Sequence, residues 1–238
     1  MKISRLVSIL LVLTFFGCSD DIQILEERIK TQAELNNTEI SSVEIKKTAL
    51  YLNAWSKKDF YEDAIAEFLE EDKLDFPREI EVLFTGSSSI RFWNSLEDDM
   101  QPLKVLNRGF GGAHIAHVNH HFEDVIQRYS PKAIVFFCGT NDLTALKTPE
   151  ETIQDFEILK DKIHQALPGV HLFVIGIKPS PARVYLEKEE IAYNEMIAEI
   201  ASKDDLVTFI DIWDAMLSAK GERLSLIHIS EPTRRTDI

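Results

Sequence analysis

The fold is decided by a stretch near the middle of the chain, residues 133–142, which reads AIVFFCGTND. Its first six residues are all apolar, as is typical of a parallel strand that helices cover on both faces. The turn that follows is polar and contains a glycine. In α/β proteins, ligands bind beyond the carboxyl ends of such strands. This stretch therefore predicts a parallel sheet and also the edge of that sheet where a functional site lies.

Other short apolar runs alternate with helical patterns along the chain. A helix is predicted to begin at Thr148, because a proline and then two glutamates follow this N-cap residue. A second helix is predicted from the apolar stripe within residues 193–201. Right-handed β-α-β connections then give a three-layer α/β/α sandwich with a mostly parallel, five-stranded sheet. Besides 133–138, the predicted strands are 81–84, 104–106, 171–177 and 206–212.

Composition and charge exclude several classes of protein. The 238 residues are 45% hydrophobic, which is enough for one substantial core. The net charge of −14 opposes nucleic-acid binding, so no nucleic-acid partner is expected. Two cysteines, Cys18 and Cys138, cannot form a disulfide scaffold, and their spacing matches no zinc motif. Cys138 is interpreted as a small buried hydrophobic residue.

The N-terminus predicts export and anchoring. Residues 1–18 have a positive flank, a short apolar run and a small residue before Cys18, which resembles a bacterial lipoprotein processing site. Lipidated Cys18 would hold the protein at a membrane of the cell envelope. Cleavage without lipidation is the alternative. Residues 19–47 are predicted to form a polar tether, and residues 48–223 the main domain.

The C-terminus does not continue any pattern of the main domain. The eleven residues from Leu224 to Arg234 are similar to the translation of a transposon-end adapter used in DNA sequencing libraries. Residues 224–238 are therefore interpreted as a non-native tail and excluded from fold reasoning. We expect the genuine sequence to continue differently after Arg223.

Three polar turns follow the first three predicted strands. Residues 85–90 read TGSSSI, residues 107–112 read NRGFGG and residues 139–142 read GTND. A serine at such a turn is a potential nucleophile, and backbone N–H groups with an asparagine amide can stabilise an oxyanion. Each turn alone is a weak signal, and a Gly-Ser-Ser-Ser turn in isolation is more typical of a helix cap. None fits the G-x-G-x-x-G or P-loop nucleotide patterns.

Together the three turns resemble the motifs of the SGNH hydrolase superfamily, also called GDSL esterases and lipases, over residues 49–223. The resemblance implies a flavodoxin-like fold and a catalytic Ser88. It also implies an oxyanion hole made by the backbone N–H groups of Ser88 and Gly112 and by the amide of Asn141. Ser87 stands where the family usually has aspartate.

The resemblance further implies two-step acyl transfer without metal or cofactor. The family's general base is the histidine of an Asp-x-x-His block, and residues 211–223 contain no such block. The catalytic His and Asp are therefore expected to be absent from this chain, which is then nearly inactive. The expected substrate is a small acyl ester, with an acetyl group on a carbohydrate favoured over a long acyl chain, and lysophospholipid and simple aryl esters are open alternatives. The alternative is a non-catalytic lipoprotein of the same fold that binds acylated glycans.

Remaining polar residues are interpreted more simply. His114, His117 and His121 share one side of a predicted helix, where a partly exposed surface is favoured over a metal site. His114 and Ser87 are additionally candidates for lining the substrate pocket. The acidic runs 70–72 and 97–99 are predicted to be solvated.

Overall fold

The computed structural model describes residues 17–217 and 221–223. It divides into two compact units, of which the first ends at Phe60 and the second starts at Tyr61. The first unit contains helices α1 (Gly17–Leu35) and α2 (Ser42–Trp55), which pack against each other. Residues 19–35 of the predicted tether are thus helical.

The second unit is built on one sheet of five strands. Every neighbouring pair is parallel, and the spatial order is β2-β1-β3-β4-β5. All five strands predicted from the sequence are present, with ends shifted by one to three residues. The strands are β1 (Val82–Gly86), β2 (Val105–Gly109), β3 (Ala133–Phe137), β4 (His171–Ile175) and β5 (Val207–Ile210).

Helices cover both faces of this sheet. Side chains alternate along each strand, so Leu83 and Phe136 lie in one apolar cluster while Phe84 and Phe137 lie in the other. The predicted three-layer α/β/α sandwich is confirmed. The larger cluster includes residues of α3 (Glu62–Leu74), α6 (Ile115–His120), α7 (Phe122–Val125), α8 (Thr140–Thr144), α9 (Pro149–Ala166) and α10 (Glu187–Ser202), and the smaller includes residues of α4 (Ser88–Arg91) and α5 (Leu96–Asp99).

Both helices predicted from sequence patterns form. At the start of α9, the Glu151 N–H donates to the Thr148 hydroxyl at 3.2 Å and the Thr148 N–H donates to the Glu151 carboxylate at 2.8 Å. These reciprocal bonds satisfy two amide donors that a helix start otherwise leaves without partners. The stripe predicted for 193–201 lies in α10, where Tyr193 and Ile197 are fully buried.

One residue of the acidic run 70–72 is not solvated as predicted, whereas Glu70 and Glu71 are exposed. Asp72 is buried on α3, and its carboxylate accepts hydrogen bonds from Arg108 at 2.6 Å and from the Tyr129 hydroxyl at 2.7 Å. Arg108 in turn donates to the Tyr129 oxygen at 2.8 Å, which closes a three-residue ring. The prediction was wrong because the partner of Asp72 lies on β2, far along the chain. Residues 97–99 are exposed, as predicted.

Several predictions concern residues or side chains outside the described part of the chain. These are the signal segment 1–18, the lipidated Cys18 and the non-native tail 224–238. They remain predictions. In the described ranges 17–217 and 221–223, no helix has the length and apolar character needed to cross a bilayer.

Candidate active site

The three turns meet at the point where the order of strands in the sheet reverses. The chain runs from β1 to β2 on one side and then crosses to β3 on the other. Gly86 at the end of β1 is in register with Gly109 of β2 and with Phe137 of β3. The three strands therefore end at one level. In open α/β sheets this reversal point is where ligands bind.

The first turn is fixed against the end of β3. Gly86 has φ +122°, and a Cβ at this position would lie 2.1 Å from the Phe137 carbonyl oxygen, so only glycine fits. The next residue, Ser87, donates its N–H to the same oxygen at 2.9 Å and is 2% exposed. Ser88 begins α4 directly afterwards and is half-buried. The turn thus holds Ser88 at the carboxyl edge of the sheet.

The second turn is tied to the first. The Phe110 N–H donates to the Gly86 carbonyl at 3.0 Å. The Asn107 side chain accepts from the Gly109 N–H at 2.9 Å and donates to the Ile90 carbonyl at 2.7 Å. These bonds fix the segment that leads to Gly112.

The third turn is tied to the second. Asn141 is 7% exposed, and its amide nitrogen donates to the Ala113 carbonyl at 2.9 Å, one residue beyond Gly112. Cys138 is buried, as predicted, and its thiol contacts the same carbonyl at 3.2 Å. The structure therefore brings the turns that carry Ser88, Gly112 and Asn141 together through hydrogen bonds.

Sequence reasoning missed the role of Asp142, although it quoted this residue within the GTND turn. Asp142 is fully buried, and its carboxylate accepts from the Ile115 N–H at 3.2 Å and from Lys147 at 3.4 Å. Burial raises the pKa of Asp142 to about 7. By holding the first residue of α6, Asp142 fixes the exit of the turn that contains Gly112.

The predicted partly exposed histidine face is wrong. His114 and His117 have no exposed surface, and His121 is 8% exposed. The His114 N–H donates to Nδ1 of His117 at 2.8 Å, and burial lowers the pKa of His114 to about 2, which keeps its ring neutral. The substrate-lining roles of His114 and Ser87 stay predictions, and the burial of both side chains opposes them in this conformation. Among the described residues, no three His, Cys, Asp or Glu side chains are grouped to hold a metal ion.

The general base is not among the residues described after β5. Asp211 and Asp214 follow this strand, but neither is followed by a histidine three residues later. Asp211 instead accepts a hydrogen bond from the Trp213 N–H at 2.8 Å, which closes its own local turn. The described site therefore holds a candidate nucleophile and candidate oxyanion donors without an Asp-x-x-His block.

A second buried carboxylate, Glu190, lies near the start of α10. It has no exposed surface, and neither carboxylate oxygen has a hydrogen-bond partner in the part of the chain that the structure describes. Burial raises the pKa of Glu190 to about 7. The positive charges of Arg183 and Arg223 oppose this rise, and the negative charges of Glu187 and Glu189 add to it.

We expect Glu190→Gln to remove a loss of stability that the unchanged protein shows between about pH 4.5 and pH 7. The unfolded chain ionises Glu190 near its ordinary value of 4.5, whereas the folded protein keeps the proton until about 7, so stability falls as pH rises through this window. The stability difference between the variant and the unchanged protein should be about 3 kcal/mol more favourable to the variant at pH 8 than at pH 4.5. Urea unfolding at both pH values measures this. Glu195→Gln, on an exposed position of the same helix, should show no such change. The prediction is contradicted if the stability of Glu190→Gln depends on pH in the same way as that of the unchanged protein.

Comparison with known proteins places this arrangement in a family. The sequence model of the GDSL-like lipase/acylhydrolase family matches residues 84–233. That match covers more than half of the chain, so the chain belongs to the GDSL-like lipase/acylhydrolase family. The general chemistry of the family is carboxylic ester hydrolysis, in agreement with the resemblance drawn from the three turns.

Solved structures agree on the fold. One, described as a platelet activating factor from Streptococcus pneumonia, has a TM-score of 0.63 and 18% identity and covers 76% of this chain and 86% of its own. A GDSL-like lipase from Bacteroides thetaiotaomicron has a TM-score of 0.54 and 17% identity and covers 72% of this chain and 85% of its own. No curated protein matches the sequence. At these identities the likeness shows the fold alone.

Proposed function

We propose that the parent protein is a serine esterase that removes small acyl groups, in particular acetyl groups, from carbohydrates. The observation that carries this proposal is the linkage of the three turns at the reversal of strand order. The Asn141 amide is bonded to the Ala113 carbonyl beside Gly112, and Ser88 starts its helix at the same edge of the sheet. An amide nitrogen carries two donors, so Asn141 has a second N–H to offer an oxyanion.

The proposed reaction has two steps. The Ser88 hydroxyl oxygen attacks the ester carbonyl carbon and its proton passes to a general base, while N–H groups of Ser88, Gly112 and Asn141 stabilise the oxyanion. The bond to the alcohol breaks, and the base returns the proton to the alcohol. Water then attacks the acyl-enzyme in the same way and releases the acid. No metal or cofactor is required.

We propose that the general base comes from residues beyond Arg223 in the parent gene product, where the family has its Asp-x-x-His block. We also propose that Cys18 is lipidated and holds the exported enzyme at a membrane of the cell envelope, facing either the periplasm or the cell surface. An acetylated carbohydrate suits such a location, because a tethered enzyme meets exported or extracellular glycans. The second candidate is a non-catalytic lipoprotein of the same fold that binds acylated glycans, and the two candidates differ in whether an Asp-x-x-His block follows Arg223 in the native protein.

The first experiment is to read the native gene across the codon for Arg223 without a transposon-made library. If an Asp-x-x-His block follows, the protein with its full native reading frame should hydrolyse p-nitrophenyl acetate and acetylated xylo-oligosaccharides. If a native stop codon lies near Arg223, the binding-protein candidate is the better one.

The 238-residue chain itself is expected to be nearly inactive. Loss of a triad member costs on the order of 10⁶ in rate, so its turnover of p-nitrophenyl acetate should lie that far below that of the full-frame protein. The comparison uses both proteins at equal concentration under identical conditions. Turnover by the 238-residue chain that Ser88→Ala abolishes would contradict this expectation.

A further inference from the structure

A groove of about 590 Å³ lies in the second unit between α3 and the segment that follows α4. This volume is in the range of small-molecule binding sites. We call it the α3–α4 groove. Its lining includes Glu67, Arg91, Phe92, Trp93, Asn94 and Glu97.

Two adjacent aromatic residues form an apolar part of the groove. Phe92 is 65% exposed and lines the groove, so its ring is accessible to a ligand. Trp93 is held in place, because its indole N–H donates to Asp99 at 2.6 Å and its ring packs edge-on against Phe84 at 5.7 Å. A fixed tryptophan beside an exposed phenylalanine presents ring faces on which the C–H face of a sugar can pack.

The rest of the lining is mostly polar and carries four carboxylates. Carboxylates accept hydrogen bonds from hydroxyl groups and repel anions. Arg91 and Arg108 add positively charged guanidinium donors to the lining, and Arg108 lies 3.6 Å from the carboxylate of Glu71. These positive charges disfavour a purely cationic ligand. Ring faces, carboxylate acceptors and guanidinium donors together fit a neutral polyhydroxylated ligand. The carboxylates belong to Glu67, Glu71, Glu97 and Asp98.

Arg91 relates the groove to the candidate active site. It lines the groove and follows Ser88 by three residues on α4, so both residues lie on the same side of this short helix. The Arg91 side chain also lies 3.6 Å from the position of a Cβ on Gly111, which directly precedes Gly112. One wall of the groove is therefore one helical turn from the candidate nucleophile.

We propose that the α3–α4 groove binds the alcohol part of the substrate, a neutral oligosaccharide whose acyl group then lies at Ser88. This inference rests on the proposed esterase function, because it assigns the substrate class of the same site. The four carboxylates of the groove outnumber its two guanidinium groups, so glycans that carry uronic acids or phosphates are expected to bind less well than neutral ones.

Binding is tested by isothermal titration calorimetry with three neutral probes: xylohexaose, mannohexaose and chitohexaose. At least one should bind, and hexagalacturonic acid should not. Phe92→Ala should weaken the binding by tenfold or more and is expected to fold, because its ring is mostly exposed. Tyr185→Ala removes an aromatic residue of 42% exposure outside the groove lining and should change the affinity less than twofold.

The inference is overturned if no neutral probe binds, or if Phe92→Ala binds as well as the unchanged protein. It is also overturned if spermine binds and displaces the bound sugar, since the groove is then a cation site. Fluorophosphonate labelling of the full-frame protein separates the two proposals. If Ser88 is labelled but no oligosaccharide binds, only the proposal that the groove binds an oligosaccharide is refuted. If an oligosaccharide binds but Ser88 is not labelled, the groove still binds a sugar and the esterase function is refuted.

Discussion

Ser88→Ala in the protein with its full native reading frame is expected to abolish ester hydrolysis, with a loss on the order of 10⁶ in kcat. The reason is chemical: without the hydroxyl oxygen of Ser88 no acyl-enzyme forms, and the oxyanion donors alone give only residual catalysis. Hydrolysis of p-nitrophenyl acetate, followed at 405 nm by the release of p-nitrophenolate, measures the loss.

The neighbouring serines provide the matched comparison. Ser89→Ala changes the next position of the same helix and should retain the rate within about threefold, as is usual for substitutions outside the reacting groups. Mass spectrometry after fluorophosphonate treatment should find the label on Ser88. A label on Ser87 or Ser89, or full activity of Ser88→Ala, would refute the assignment of the nucleophile.

Asp72→Ala is expected to destabilise the protein by about 3 kcal/mol, because it removes the buried counter-charge of the Arg108 guanidinium and leaves only the exposed carboxylate of Glu71, 3.6 Å away. In the structure the side chains of Arg108 and Asp72 are 7% and 1% exposed, and the nearest nitrogen and oxygen are 2.6 Å apart. The substitution also leaves the Tyr129 hydroxyl without its acceptor. Urea unfolding at pH 7 measures the effect.

The control for this prediction lies on the same helix. Glu70 forms an exposed ion pair with Lys73, so Glu70→Ala should change the free energy of unfolding by less than about 0.5 kcal/mol. The double variant Asp72→Leu with Arg108→Met should recover part of the loss, since it buries no charge that lacks a partner. Equal effects of Asp72→Ala and Glu70→Ala would show that the ring of Asp72, Arg108 and Tyr129 does not stabilise the fold.

The family and the main features of the site could be predicted from the sequence because they rest on local signals. The apolar run 133–138 is typical of a strand that helices cover on both faces. Glycines in the three turns are a local signal as well, because they allow backbone angles that other residues rarely adopt. Gly86 and Gly139 both have positive φ, and both would clash with a neighbour if they carried a side chain. The helix start at Thr148 is local in the same sense, since all of its bonds lie within four residues.

The sequence by itself thus determined the parallel α/β sheet, its five strands and the three turns that carry Ser88, Gly112 and Asn141. Only the tertiary structure decided which polar residues are buried. Asp72 pairs with Arg108, which lies 36 positions away in the sequence. Asp142 accepts a hydrogen bond from the N–H of Ile115, which lies 27 positions away. The α3–α4 groove likewise joins separate segments of the chain. Burial and charge pairing depend on which distant segments meet, and no local pattern of residues encodes that.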